Sequence, residues 1–512
     1  MWRIRSIQEI FITGIDLKNT ETFSPRVLRG DFVLLSLAFA MFYLYNVCRS
    51  IFAGENMKLT FIADTHYYSK SLGTSGKAYA LRSGSDQKCL AETAEIIDAA
   101  FEKIGESETD AVFILGDVTN NGEMVSHIEF REKLYKLKRK KPVYIITATH
   151  DWCCDGNPRR FEGNKTYSDV PVMKSRDLPG FYNDFGPGQA IDSFITDIGT
   201  VCYTIELGGN VRVLCLNDDK NENDHAGFTP ACRKWIENQL ENARRDGCLM
   251  IGIEHHLLLP HISPLITGGS TCVEHREQIA EWFADNGLRY MFVGHSHIQN
   301  TDSFISRSGN QITEVNVGAL CGYPAPIVNV TVQADGTLFY EVDHLKTFKL
   351  GDTQTDAQQY LAKHACELIF NVTKCRAKQD FIERADALQL NGRALSKYWF
   401  IIKPLLVKID TMLVWDAYKV LCRLGLAADV SKAEAMQFRY KSLREMIGEM
   451  WLSILDGSAE PHPKNSAYYK LVMCALRAPS KLFKKNKAFG ELVQAADTIL
   501  TGGEINNQKS RI

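Results

Sequence analysis

Short apolar runs alternate with amphipathic segments between residue 58 and about residue 345. Five of the runs are KLTFIAD (58–64), AVFILGD (111–117), PVYIITATHD (142–151), CLMIGIEHH (248–256) and RYMFVGHSH (289–297). Runs of this length that are rich in Val, Ile and Phe are typical of buried strands. Apolar side chains recur at helical spacing in residues 86–104, 127–137 and 229–247. The alternation of buried strands and helices predicts an α/β layered fold.

Capping and turn residues mark several boundaries in this region. Ser85 or Asp86 is the predicted N-cap of the helix over 86–104, and Thr229 is the predicted N-cap of the helix over 229–247. A closing hairpin is predicted over residues 327–345, with its turn at Asp335-Gly336.

The pattern changes after about residue 350. Residues 354–500 keep helical periodicity with few strand signals, and Gly425, Gly457 and Pro479 interrupt it. We therefore predict an α/β domain over residues 57–345, followed by an α-helical domain over residues 346–512. The tail from Gly502 onward is predicted to fray.

An almost uninterrupted apolar run, FVLLSLAFAMFYLYNV, covers residues 32–47. At roughly 16 residues it is shorter than the ~20 residues that a membrane span usually needs. Residues 1–56 therefore admit two interpretations. They are a membrane anchor, or they precede a natural translation start at Met57, where the first predicted strand begins. A cleaved signal peptide fits less well, because no small-residue cleavage site follows the run cleanly.

Charge and cysteine usage narrow the classes of protein and partner. The 59 Lys and Arg residues nearly balance the 61 Asp and Glu residues, so the net charge gives no support to a nucleic-acid partner. The fourteen cysteines are scattered and form no pair of CxxC motifs, which is typical of free thiols in a reducing compartment. We therefore expect a cytoplasmic protein, or a membrane-anchored one if residues 32–47 insert.

Five polar motifs stand where the predicted strands end. They are DTH (64–66), GDVTNNGE (116–123), THD (149–151), EHH (254–256) and GHSH (294–297). Each motif alone is weak evidence, because a single histidine or a Gly-Asp pair is common in ordinary turns. Together they place histidines and carboxylates at the strand ends, where α/β folds bind ligands. Such ligands, without cysteine, suit manganese, iron or zinc better than calcium.

The order and spacing of these motifs resemble the calcineurin-like metallophosphoesterase superfamily, whose signature reads DxH, GDxxNxGE, GNH[DE], a lone histidine and GHxH. Its phosphodiesterase-type members are the most similar. The resemblance implies a four-layer αββα sandwich of two mixed sheets. It also implies hydrolysis of a small-molecule phosphate mono- or diester, with water activated between two divalent metal ions (Mn, Fe or Zn).

The resemblance assigns roles to individual residues. The first metal ion would be held by Asp64, His66 and His297, the second by His255 and His295, and both by a bridging Asp117. His255 is preferred to His256 because it comes first after the strand. His150 corresponds to the catalytic histidine, Asp151 to the carboxylate that orients it, and Asn120 to a supporting residue.

Thr149 departs from the family pattern, which has asparagine before the catalytic histidine. A threonine hydroxyl is shorter than an asparagine side chain and a poorer neutral ligand, so we expect the second metal ion to bind more weakly than the first.

Three other functions stay open from the sequence: a non-catalytic binding member, a nuclease of the same superfamily, and a membrane-tethered phosphatase of lipid headgroups. The loop over residues 69–85 is predicted either to line the substrate entrance with Lys77 and Arg82 or to be a solvated loop. Neither the substrate nor the oligomeric state follows from the motifs.

Overall fold

Two mixed β-sheets form the centre of the computed structural model, which describes residues 56–263, 271–387, 392–482, 487–503 and 505–512. The apolar run over residues 32–47, and with it the membrane-anchor interpretation, lies outside the described residues. Within the described ranges, no helix is both long enough and apolar enough to cross a membrane.

The first sheet has six strands. In chain order they are β1 (Met57–Ile62), β2 (Ala111–Leu115), β3 (Val143–Ile146), β13 (Pro326–Val332), β14 (Leu338–His344) and β17 (Lys509–Arg511). Their order across the sheet is β17-β14-β13-β1-β2-β3. Strands β1, β2 and β3 are parallel, whereas β13 joins β1 in antiparallel register. The sheet is therefore mixed, and the carboxyl ends of its three parallel strands lie along one edge.

The second sheet has seven strands. They are β6 (Asp192–Ile195), β7 (Val201–Gly208), β8 (Val211–Cys215), β9 (Leu249–Ile253), β10 (Tyr290–Val293), β11 (Asn300–Ile305) and β12 (Gln311–Asn316), in the order β11-β12-β10-β9-β8-β7-β6. Strands β8, β9, β10 and β12 are parallel. Two small hairpins lie outside both sheets: β4 (Arg160–Glu162) with β5 (Lys165–Tyr167), and β15 (Thr347–Leu350) with β16 (Thr353–Asp356).

Helices cover the outer faces of both sheets. Those of the first part of the chain are α1 (Gly76–Ser83), α2 (Thr93–Glu106), α3 (Met124–Lys138), α4 (Leu178–Phe181), α5 (Pro230–Arg245) and α6 (Arg276–Asp285). Apolar residues of α2 and α3 pack on the first sheet, and those of α5 and α6 pack on the second. Between the sheets, the rings of Phe61 and Phe292 stack with centroids 4.0 Å apart. This arrangement of two large mixed sheets between helices confirms the predicted sandwich.

A helical region follows the second small hairpin. Its helices are α7 (Ala357–Thr373), α8 (Lys378–Ala387), α9 (Gly392–Leu395), α10 (Trp399–Thr411), α11 (Val414–Arg423), α12 (Lys432–Met436), α13 (Leu443–Leu455), α14 (Ala467–Leu482) and α15 (Lys487–Thr501). Part of it has a separate apolar core, but Ala357 and Leu361 of α7 pack into the core of α2 and α3. Residues Asn56–Ile512 form one compact unit. A boundary between domains at residue 345 stays a prediction.

Two local predictions are wrong and one is confirmed. Helix α2 begins at Thr93, not near Asp86, because residues before it form a loop and a short 3₁₀ turn. The C-terminal tail is not frayed, since Lys509–Arg511 pairs with β14. The Thr229 side chain does cap α5, accepting a hydrogen bond from the Cys232 amide.

Candidate active site

The five polar motifs meet at the carboxyl ends of parallel strands from both sheets. DTH follows β1, GDVTNNGE follows β2 and THD follows β3, while EHH follows β9 and GHSH follows β10. Ligand atoms of seven of the predicted residues come together in three overlapping groups: Asp64 with His66 and His297; His66 with Asp117 and His150; and Asp117 with His255 and His295. Within each group these atoms lie within 4.8 Å of one another.

Five of these residues have a left-handed backbone, which is uncommon outside glycine. Their φ angles are 51° at Asp64, 39° at His66, 45° at Asp117, 66° at His295 and 61° at His297. Such a conformation costs on the order of 1–3 kcal/mol per residue and persists only where the surrounding structure enforces it. Here it turns the chain sharply after β1, β2 and β10, which brings His297 to Asp64 and His66, and His295 to Asp117.

The two aspartates are oriented by backbone amides of other motifs. Asp64 Oδ2 accepts a hydrogen bond from the His295 amide at 3.0 Å, and Asp117 Oδ1 accepts one from the His150 amide at 3.0 Å. Each carboxylate therefore keeps one oxygen free of backbone contacts. The free oxygen of Asp64, Oδ1, is buried and has no hydrogen-bond partner.

The first ligand group is compact. Asp64 Oδ1 lies 3.6 Å from His66 Nε2 and 3.5 Å from His297 Nε2, and the two nitrogens are 3.0 Å apart. Donor atoms that bind one cation at ~2.1 Å lie about 3 to 3.5 Å from each other. The three atoms thus have the separations that a shared transition-metal ion requires.

The second ligand group is arranged around His255. Its Nδ1 donates to the Leu115 carbonyl at 2.8 Å, and its Nε2 lies 3.1 Å from Asp117 Oδ2. A histidine that binds a metal ion usually donates its other N–H in this way. In the neutral ring, Nε2 has only a lone pair and would face another acceptor, Asp117 Oδ2. A proton or a cation must therefore lie between Nε2 and Oδ2. Although burial opposes protonation, the charge of Asp117 raises the pKa of His255 well above its usual value.

Asp117 Oδ2 lies between the two groups, since it is also 3.9 Å from His66 Nε2. Its other oxygen is engaged by the His150 amide. Asp117 is therefore the residue that both ligand groups would share if each held a metal ion.

The His150 ring is held by the second motif. Its Nδ1 donates to the Asn120 carbonyl at 2.5 Å and to Asn121 Oδ1 at 3.0 Å. A carbonyl can only accept, so the proton is on Nδ1 and Nε2 is the ring atom left for a ligand. Burial lowers the pKa of His150, which favours the neutral ring.

The predicted role of Asp151 is wrong, because its carboxylate does not orient the His150 ring. Asp151 Oδ2 accepts from the Ala148 amide at 2.9 Å, and Oδ1 accepts from the amide and the hydroxyl of Thr119 at 2.8 and 3.0 Å. This buried carboxylate instead fastens the third motif to the second. Asn120 and Asn121 perform the orienting function.

Thr149 begins a short 3₁₀ turn, Thr149–Trp152, next to the ligand groups. Within the described part of the chain the Thr149 hydroxyl forms no hydrogen bond. Its role as a ligand of the second metal ion stays a prediction.

Asp218, which the motif analysis missed, pairs with His256 beside the second ligand group. Asp218 accepts from the amide of His256 at 2.9 Å and contacts its Nδ1 at 3.1 Å. The His256 ring lies 4.4 Å from that of His295, centroid to centroid. Asp218 follows an apolar strand, β8, as the motif aspartates follow theirs, so the same pattern could have identified it.

A cavity of about 1130 Å³ opens above the ligand groups. Asp117, His150, His295 and His297 line its floor. Lys88, Arg82 and Arg159 line one wall, and Leu368, Asn371 and Trp451 of the helical region line another. Of the two predicted entrance residues, Arg82 is part of the cavity, and Lys77 is exposed on α1.

Residues 57–299 match the family model of calcineurin-like phosphoesterases. This part of the chain is a calcineurin-like phosphoesterase domain. The protein is accordingly a hydrolase acting on phosphoric ester bonds, as the resemblance predicted. No curated protein matches the chain significantly.

The phosphoesterase domain also has similar solved structures. A dimetal phosphatase from Danio rerio is 11% identical, with 59% of this chain and 99% of that chain covered and a TM-score of 0.41. A purple acid phosphatase from yellow lupin seeds is 13% identical, with 58% and 53% covered and a TM-score of 0.37. A 5'-nucleotidase described as putative, from Staphylococcus aureus, is 12% identical, with 60% and 58% covered and a TM-score of 0.34.

Proposed function

We infer that the protein hydrolyses a small-molecule phosphate ester with two divalent cations at the floor of the cavity. Asp64, His66 and His297 would hold one cation, and His255 and His295 the other, with Asp117 Oδ2 shared. The observation that carries this inference is that the two oxygens of each carboxylate have different partners. One oxygen of Asp64 and one of Asp117 accept backbone amides, and the other oxygen of each faces histidine nitrogens.

The residues fit a metal pair by a second test, the buried polar atoms that lack hydrogen-bond partners. Asp64 Oδ1 and His255 Nε2 are both buried and have none, although burying such atoms unpaired costs about 1–3 kcal/mol each. Cations at these positions would compensate both atoms. Imidazole and carboxylate ligands are compatible with manganese, iron or zinc.

When bound, a pair of divalent cations acidifies a water molecule and neutralises negative charge that develops on the phosphoryl oxygens. The chain itself supplies the proton-transfer group. Because Nδ1 of His150 carries the ring proton and is committed to Asn120 and Asn121, the unprotonated Nε2 would take a proton from the attacking water and then pass it to the leaving oxygen. General acid–base catalysis of this kind usually contributes ~10²–10⁴-fold.

The test combines metal analysis with hydrolysis of p-nitrophenyl phosphate and bis(p-nitrophenyl) phosphate, which separates monoesterase from diesterase activity. We expect two metal ions per wild-type chain and activity with at least one of the two esters. Asp117→Asn should lose activity and bind fewer metal ions, whereas His150→Gln should keep its metal ions and lose at least ~10²-fold in kcat. The matched control is Asp352→Asn, at an exposed aspartate in the turn between β15 and β16.

The non-catalytic alternative would be supported instead if the wild-type protein bound both metal ions but hydrolysed neither ester, so that its hydrolysis rate equalled that of Asp117→Asn.

A further inference from the structure

Lys88 places a buried ammonium group in the cavity wall, where it has no ion pair with any described residue. The residue is 6% exposed and its side chain lines the cavity. Only its backbone amide is bonded, to Asp86 Oδ1 at 3.0 Å; no carboxylate in the described residues pairs with its side chain. The nearby Asp86 carboxylate forms its ion pair with Arg82 at 2.5 Å, and although burial opposes its ionisation, the charges of Lys88 and Arg82 lower the pKa of Asp86. One carboxylate therefore compensates two buried cations, so this position points to a further anion supplied by a ligand.

Arg159 adds a second cation to the same wall. It is partly buried, lines the cavity, and has no ion pair with a described residue. Burial and the charge of Arg82 lower the pKa of Arg159, against the opposing effect of the Asp155 and Asp86 carboxylates, which also line the cavity. A guanidinium group matches the geometry of phosphate oxygens by binding two of them at once.

The segment that carries Lys88 is held in place by contacts on both sides. His364 donates to the Asp86 carbonyl at 2.8 Å, and Asn371 donates to the Gly84 carbonyl at 3.0 Å, both from α7. On the other side, the Cys89 amide donates to the Cys321 carbonyl at 2.9 Å. Lys88 is therefore presented by a fixed segment, and little ordering is needed when an anion binds.

The two cations lie beside the ligand groups, in one continuous cavity. Lys88 lines the same cavity as Asp117, His150 and His297. A volume of about 1130 Å³ exceeds the ~300–1,000 Å³ typical of small-molecule sites, so the cavity has room for more than a single phosphate.

We propose that Lys88 and Arg159 form a second phosphate subsite, and that the substrate is a small molecule carrying another phosphate besides the one that is hydrolysed. This proposal rests on the proposed function for the identity of the hydrolysed group. The anion subsite itself depends only on the cavity and on the two cations, Lys88 and Arg159, that line it.

Adenosine 3′,5′-bisphosphate and adenosine 5′-monophosphate test the subsite, because they differ by one phosphate. Dissociation constants are measured calorimetrically on the metal-loaded protein, and released phosphate is measured in the same samples. We expect wild type to bind the bisphosphate at least tenfold more tightly than the monophosphate. Lys88→Gln should bring this ratio below threefold, and Arg159→Gln should reduce it by a smaller factor because its side chain is more exposed. Lys77→Gln, on the exposed side of α1, should leave it unchanged.

Equal weakening of both nucleotides in Lys88→Gln and in Arg159→Gln, or an unchanged ratio in both variants, would overturn the subsite. Arg159→Gln keeps the test valid if Lys88→Gln does not fold. Wild-type protein that prefers the bisphosphate but releases no phosphate with any metal would refute the proposed function and leave the subsite standing. Wild-type protein that releases phosphate but does not prefer the bisphosphate would refute the subsite and leave the proposed function standing.

Discussion

Gly294→Ala tests whether the backbone of the GHSH motif positions the first metal ligand. Gly294 precedes His295, whose amide donates to Asp64 Oδ2. A Cβ at position 294 would lie 2.6 Å from that oxygen and 3.0 Å from the Cβ of Ala63. To reach the ordinary contact distance of 3.4 Å, the Asp64 carboxylate must retreat by about 0.8 Å. Metal–ligand distances tolerate only about ±0.2 Å, so this displacement removes Asp64 from a bound cation.

The expected result is selective loss of one metal ion. Disturbing a group that orients a ligand typically costs ~10–100-fold in metal affinity or activity, and overpacking costs ~1–3 kcal/mol of stability. Metal affinity is measured by calorimetric titration, metal content by elemental analysis of the dialysed protein, and stability by a thermal melt. The matched control is Gly180→Ala, because a Cβ there meets nothing within 4 Å and the backbone is not left-handed. If Gly294→Ala retained two ions at wild-type affinity and full activity, the inferred role of Asp64 would be refuted.

Three further predictions concern metal binding and pH. Removal of metal ions by a chelator should abolish hydrolysis and lower the melting temperature, and Mn²⁺, Fe²⁺ or Zn²⁺ should restore both; activity that survives chelation would contradict the metal site. Thr149→Asn should strengthen the weaker of two unequal metal affinities, whereas equal affinities in wild type would remove the reason for this expectation. Burial lowers the pKa of His127 to about 4, from 6.5 in the unfolded chain. As the pH falls, the unfolded chain therefore binds a proton on His127 before the folded chain does. The free energy of unfolding of the metal-free protein should fall by up to ~3 kcal/mol between pH 6.5 and 4. His127→Gln should reduce this fall, as measured by urea titrations at several pH values.

The strand ends could be predicted from the sequence because two independent signals coincide there. An apolar run reports burial, and an abrupt change to Asp and His reports the point where the strand leaves the core. Both signals are local, and they identified Asp64, Asp117 and His255 at the positions where the structure groups them. Asp218 carries the same signals and was missed because no signature included it.

Partnerships across the fold were not accessible in the same way. Asp151 is adjacent to His150 in sequence, yet its carboxylate turns toward Thr119, more than thirty residues away. Lys88 lies in what looks like the first turn of a helix, because Leu90 continues the apolar spacing of α2. Its distinguishing property, an unpaired charge inside a cavity, exists only once α7 and the loop at Cys321 close around it.

Strand β17 could not be predicted because it has only three residues, Lys509–Arg511, and all of them are polar. Its backbone pairs with Phe339–Glu341 of β14, and ion pairs of Lys509 with Glu341 and of Arg511 with Asp335 add to this pairing; a backbone edge has no signature in the sequence.

That pairing ties the helical region to the phosphoesterase sheet at both ends. The chain leaves the first sheet after β14 and comes back to the same strand at β17. A segment anchored twice to one strand cannot swing open on a single hinge as an enzyme lid does. Excision of the helices would strip β14 of its neighbour and leave an open strand edge prone to aggregation.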